Sequence, residues 1–195
     1  GGKAKFWGGA CWVESSPSPR RLSDSSIMGA EASVVEGWSE DEVKAAKLRA
    51  ERDERMNATF KLGGKPITEF GADLRELADR MIEAMYVEGG VGLAAPQVGI
   101  EQKLLVLNPS GSKEDRSGEL VICNPRIVRK KRKEYGEEGC LSFPGIQADV
   151  ERSVEITVVY QDLKGEEQSL KCEGWLARIV QHEIDHLEGV FFVDR

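Results

Sequence analysis

The sequence lacks any apolar run approaching the ~20 residues that a membrane-spanning helix needs, which argues for a chain that stays out of the bilayer. Basic residues are outnumbered, 27 against 34 acidic ones, for a net charge of −7. A chain built to grip a nucleic-acid backbone wants a basic face, so no direct nucleic-acid site is expected. Cysteine is sparse and scattered: Cys11, Cys123, Cys140 and Cys172 include no C-x-x-C pair. That excludes a disulfide framework, which belongs to short, cysteine-dense chains, and points to free thiols in a reducing compartment. Histidine occurs only twice. The chain opens on Gly1 rather than Met, as a fragment or a processed form would.

At 195 residues, 40% of them hydrophobic, the chain is long enough for one catalytic domain and hardly for two. Residues 1–59 read as an extension. Ser15 to Ser26 is rich in Ser, Pro and Arg, with too little apolar surface to offset the entropy of ordering it. It is either a flexible tail or the remnant of an organelle-targeting segment, although Glu14, Asp24 and Glu31 are unusual in the latter. Ser39 to Met56 reads as a charged helix, opened by a Ser39/Glu42 capping box.

The compact domain is expected over 60–195. Leu74, Leu77, Ala78, Met81, Ile82 and Met85 recur at helical spacing. Gly89, Gly90 and Gly92 then open a tight loop. Short strands follow at Lys103–Leu107, Leu120–Cys123 and Arg126–Lys131. Val154, Ile156, Val158 and Tyr160 alternate with less apolar residues as a half-buried strand does. A turn over Asp162–Gly165 returns the chain as Gln168–Cys172. Trp175–Leu187 reads as a second helix. The order helix, strands, helix predicts an α+β fold, with antiparallel or mixed strands packed around the C-terminal helix.

That helix carries the strongest chemical signal, His182-Glu183-Ile184-Asp185-His186. Residues four apart share a helix face, so two imidazoles can reach one ion, with Glu183 placed to move a proton beside it. Two histidines placed at random would fall at this spacing roughly 1% of the time. A hydrolytic metal usually takes three protein ligands. Downstream only Glu188 and Asp194 are available, and Glu188 falls near the opposite side of the helix. The third ligand is therefore expected upstream, with Cys140 the best candidate because Gly139 beside it permits an unusual backbone in an expected loop. Cys11, Cys123 and Cys172 keep the inert reading. A third cluster, Gly90 to Gln97 (GVGLAAPQ), lacks the Lys-Ser/Thr ending of a P-loop. Its small residues allow another backbone to approach closely, and Gln97 offers a hydrogen-bond donor.

The three clusters together resemble the peptide deformylases, whose G-x-G-x-A-A-x-Q, E-G-C-x-S and H-E-x-x-H segments occur in this order. Here they read GVGLAAPQ, EGCLS (Glu138 to Ser142) and QHEIDH (Gln181 to His186), and the likeness spans Pro66 to Arg195. EGCLSFPGIQADVER is most similar to type 1, plastid-type members. The resemblance implies removal of the formyl group from the N-terminal methionine of new polypeptides. It implies Cys140, His182 and His186 as metal ligands, Glu183 as acid/base, and Gln97 with the backbone N–H of Leu141 as oxyanion donors. Val91, Gly92, Gly139 and Ile179 are the implied substrate contacts. It further implies one divalent metal ion, Fe(II) above zinc, nickel or cobalt. Nascent N-formylmethionyl peptides, and transiently the ribosome, are the implied partners. A plastid or mitochondrion is the expected compartment, with a bacterial-type cytoplasm as the alternative. One departure is the missing N-terminal strand before Lys65-Pro66. Two other readings stay open: a structural metal site in a binding protein, closed by four ligands, and a zinc protease cutting internal bonds.

Overall fold

The structure, a computed structural model, describes residues 63–140 and 143–195. The expected extension over 1–59 and its charged helix lie outside the described residues.

Helix α1 spans Ala72–Val87, and Leu74, Ala78, Met81, Ile82 and Met85 form its buried face. Leu77, expected in the same stripe, is only partly covered. The helix stops at Gly89, which takes a left-handed φ of 68°. Gly90 N–H then closes back onto the Met85 carbonyl at 2.9 Å, the turn that ends helices with glycine. The chain passes into β1 (Gly92–Ala94), a 3-10 turn over Ala95–Val98, and β2 (Leu104–Leu107). Strands β3 (Leu120–Cys140), β4 (Phe143–Gln161) and β5 (Glu167–Glu173) follow, and helix α2 covers Gly174–Leu187. The five strands form one antiparallel sheet in sequence order. No helix among the described residues is long and apolar enough to cross a membrane.

Strand alternation places the sheet between the two helices. In β2, Leu105 and Leu107 join the α2 cluster with Ile179, Val180 and Ile184. Leu104 and Val106 point the other way, into the α1 cluster with Met81 and Met85. All four residues are completely buried, which is why β2 reads as an unbroken apolar run. From Ile179 to Leu187 every residue of α2 is buried. A polar His-Glu-x-x-His segment therefore sits in the interior, where each polar group needs a partner.

The long β3–β4 hairpin differs from the expectation. The short strand expected to end at Lys131 continues to Cys140, so Cys140 is the last residue of a strand rather than part of a loop. The middle of the hairpin shows no apolar alternation because both of its faces are polar. It is held by pairing with β4, in which Lys131 opposes Glu155 and Tyr135 opposes Glu151. The Lys131–Glu155 ion pair spans 3.1 Å across the strands, a favourable but exposed cross-strand pair. The segment before Gly63, where the sequence shows no family-like N-terminal strand, lies outside the described residues; after it, Gly64 N–H donates to the Leu187 carbonyl at 2.8 Å, and Lys65 bridges in parallel to Gln102.

Candidate metal centre

Three elements converge on one buried point. Helix α2 supplies His182 and His186, whose Nε2 atoms lie 3.1 Å apart. Their rings meet edge-on, with centroids 4.6 Å apart. The end of β3 supplies Cys140, whose Sγ lies 3.3 Å from His186 Nε2. The three potential ligand atoms lie within 4.8 Å of one another, and all three residues are buried. From the 3-10 turn, Gln97 accepts the Ala94 N–H with Oε1 at 2.8 Å, and its Nε2 stands 3.7 Å from Cys140 Sγ. The amide is thereby oriented with its donor end toward the thiol.

The orientation of the His182 ring follows from what lies behind it. His182 Nδ1 is 3.0 Å from Glu138 Oε2. A carboxylate there favours the proton on Nδ1 and leaves Nε2 facing Cys140 and His186. Burial opposes charge on His182, but Cys140 and Glu138 outweigh it and raise the pKa to about 10. Burial, then the neighbouring His182 and Arg152, hold His186 well below the ordinary histidine value.

Glu183 is 2% exposed, and burial pushes its pKa up to about 7, against the pull of His182. Its Oε2 has no hydrogen-bond partner among the described residues. The carboxyl lies against β1, where a Cβ added to Gly92 would sit 2.4 Å from Glu183 Oε1. A buried carboxyl left with one unpartnered oxygen, beside a Cys/His/His donor set, fits a site completed by a divalent cation and a substrate or water.

A family model for polypeptide deformylase matches residues 56–195. This chain belongs to the polypeptide deformylase family. It is 50% identical over 131 residues to the peptide deformylase of Rhizobium meliloti, covering 66% of this chain and 74% of that one. Among solved structures it is similar to the peptide deformylase of Thermotoga maritima, with a TM-score of 0.66 and 44% identity over 70% of this chain and 90% of that one. It is likewise similar to Arabidopsis thaliana peptide deformylase 1B, with a TM-score of 0.67 and 42% identity over 70% and 76%. Deformylases are metal-dependent hydrolases that remove the N-formyl group from nascent peptides, and the α+β architecture here is theirs.

Within this deformylase fold, Cys140, His182, His186 and Gln97 lie together, with Glu183 next to His182 on α2. Gly139 pairs with Gln147 beside the hairpin end. Val91 and Gly92 lead into β1, at the edge of the sheet next to Glu183. Ile179 is in the core, 1% exposed, packed in the same cluster as Val91. Leu141 lies outside the described residues.

Sequence reading passed over the groups that hold His182. Glu138 lies inside the quoted EGCLS segment and Asp185 inside QHEIDH, yet neither drew a role. Glu138 is wholly buried and receives Arg152 Nε and Nη2, each at 2.9 Å, and Arg178 Nη1 at 2.8 Å. Burial opposes its charge, but Arg152 and His182 bring its pKa down to about 2. The available signal was the pair of acids beside known ligand candidates. Their basic partners, Arg152 and Arg178, sit on other elements.

Proposed function

We propose that this chain hydrolyses the N-formyl group of formyl-methionyl polypeptides through Cys140, His182, His186, Glu183, Gln97 and Leu141. The observation that carries this reading is the Cys140/His182/His186 cluster set beside a buried Glu183 that keeps one oxygen unpartnered. Cys140 Sγ and the Nε2 atoms of His182 and His186 would hold one divalent cation. A thiolate with two imidazoles suits iron and zinc alike, and Fe(II) is the proposed ion in the cell. When bound, such an ion polarises the formyl carbonyl and acidifies water.

The residues of the chain do the rest. An extended substrate backbone lies along the open edge of β1 at Val91 and Gly92, a strand-addition mode, with Gly139 on its other side. Ile179 supports the apolar wall behind Val91. Glu183 takes a proton from the attacking water and returns it to the leaving amine. The C–N bond breaks, and the products are formate and a free amino terminus. Gln97 Nε2 and the Leu141 N–H donate to the oxygen that gains charge.

The catalytic unit is proposed to be residues 60–195, since every assigned residue falls between Val91 and His186. The nascent substrate places the enzyme transiently at the ribosome. A plastid or mitochondrion is the proposed compartment, supported by the Ser/Pro/Arg-rich stretch over 15–26 and the likeness to a plant enzyme. Recovery of the native protein in the cytosolic fraction, with none in washed plastids or mitochondria, would refute the compartment.

The deciding assay measures formate release from formyl-Met-Ala-Ser by anaerobically prepared protein with its metal content determined. Fe(II)-loaded protein is expected to turn over the peptide. A folded, metal-replete protein that releases no formate sinks the reading.

A further inference from the structure

Three ion pairs and a hydrogen bond run from the surface to His182. The guanidinium of Arg195, 44% exposed, donates through Nε to Asp185 Oδ2 at 3.0 Å and through Nη2 to Oδ1. Asp185 Oδ2 also accepts from Nη1 of Arg152. Arg152 turns its other two donors onto Glu138, and Glu138 Oε2 meets His182 Nδ1 at 3.0 Å. Asp185, Arg152 and Glu138 are each at most 5% exposed.

Stability alone is a poor account of this arrangement. Charges buried this deeply carry a desolvation cost that their attraction repays only with good geometry, and apolar residues of equal volume often serve stability as well. What such a chain supplies is direction. The forked contact of Arg152 fixes the plane of the Glu138 carboxylate. That plane fixes Nδ1 of His182, and hence where Nε2 points. Arg152 is in turn fixed from its far side by Asp185, and Asp185 by Arg195.

We infer that Arg195, Asp185 and Arg152 form a chain of positioning residues that orients the His182 ring through Glu138 and so sets how firmly the metal ion is held. The inference rests on the ligand set proposed above. Arg195 is its outermost member among the described residues, so this arm of the support ends on a partly exposed guanidinium, while Arg178 holds Glu138 separately at 2.8 Å.

The test uses the full chain loaded with Co(II). It reads the visible absorption of the ion and the rate of its release to excess chelator. Asp185→Asn is expected to speed release by about 10- to 100-fold, the usual cost of losing a partner behind a ligand, and to alter the Co(II) spectrum. Arg195→Gln should speed it less, on the order of 3- to 10-fold, being one step further out. Arg195→Lys, which keeps the cation, should recover most of the retention. Lys113→Gln, which breaks an exposed ion pair with Glu83 that has no link to the site, should release at the parent rate. If Asp185→Asn does not fold, Arg195→Gln and its lysine rescue decide alone. Release at the parent rate in Arg195→Gln overturns the inference. So does faster release matched by an equal loss of thermal stability in the ion-free protein, which would make Arg195 a structural clamp. A parent chain that takes up no Co(II) refutes the ligand set itself, and the positioning chain with it.

Discussion

Gly92 and Glu183 are 91 residues apart in sequence, yet a Cβ on Gly92 would lie 2.4 Å from Oε1 of Glu183 and 2.8 Å from Cδ. The bare backbone of β1 is the surface on which the proposed acid/base rests. Gly92→Ala must therefore push the carboxyl aside while leaving Cys140, His182 and His186 in place. Metal content should stay near normal, and kcat should fall by roughly 10²-fold, the scale expected when a reacting group is misplaced by about an ångström. A Gly92→Ala enzyme with parent kcat would show that Glu183 needs no such seat.

Metal binding and proton transfer should separate by mutation. Glu183→Gln keeps size and shape but cannot take a proton at neutral pH. Elemental analysis should find its metal near normal, with turnover down by roughly 10²-fold or more. His186→Ala should fail earlier, by losing the ion. Glu183→Gln protein that retains metal and cleaves formyl-Met peptides normally would remove Glu183 from the mechanism.

The three described cysteines should behave differently. Cys123 and Cys172 belong to the two apolar clusters that flank the sheet, and burial raises both thiols to about 11. Cys140 faces two imidazoles instead. Cys140→Ala is expected to lose the metal, whereas Cys123→Ala and Cys172→Ala keep it. Full occupancy in Cys140→Ala would show the ligand set to be wrong.

Acid should weaken the fold through Glu138. Its folded pKa, about 2, lies below the ordinary 4.5. The stabilisation is therefore whole above the unfolded pKa and is lost as pH falls toward the folded one. Urea unfolding of ion-free protein should show the advantage of the parent over Glu138→Gln shrinking by about 2 kcal/mol between pH 6 and pH 3. An advantage that does not change over that range would mean that the charge of Glu138 contributes nothing.

The sequence alone determined the two helices and the proposed chemistry on α2. Apolar spacing along Leu74–Met85 and the four-residue separation of His182 and His186 are properties of one helical segment, fixed by 3.6 residues per turn. The choice of Cys140 followed from Gly139 beside it and from the helical spacing that turns Glu188 away from His182 and His186. What the tertiary structure decided lies between segments. The reach of β3 to Cys140 depends on register with β4, and its polar middle has no alternation to announce a strand. The support of His182 joins Glu138, Arg152 and Asp185 across sequence separations of 14 and 33. Such pairs leave no local pattern, because each charge looks like a solvated surface residue until folding buries it opposite its partner.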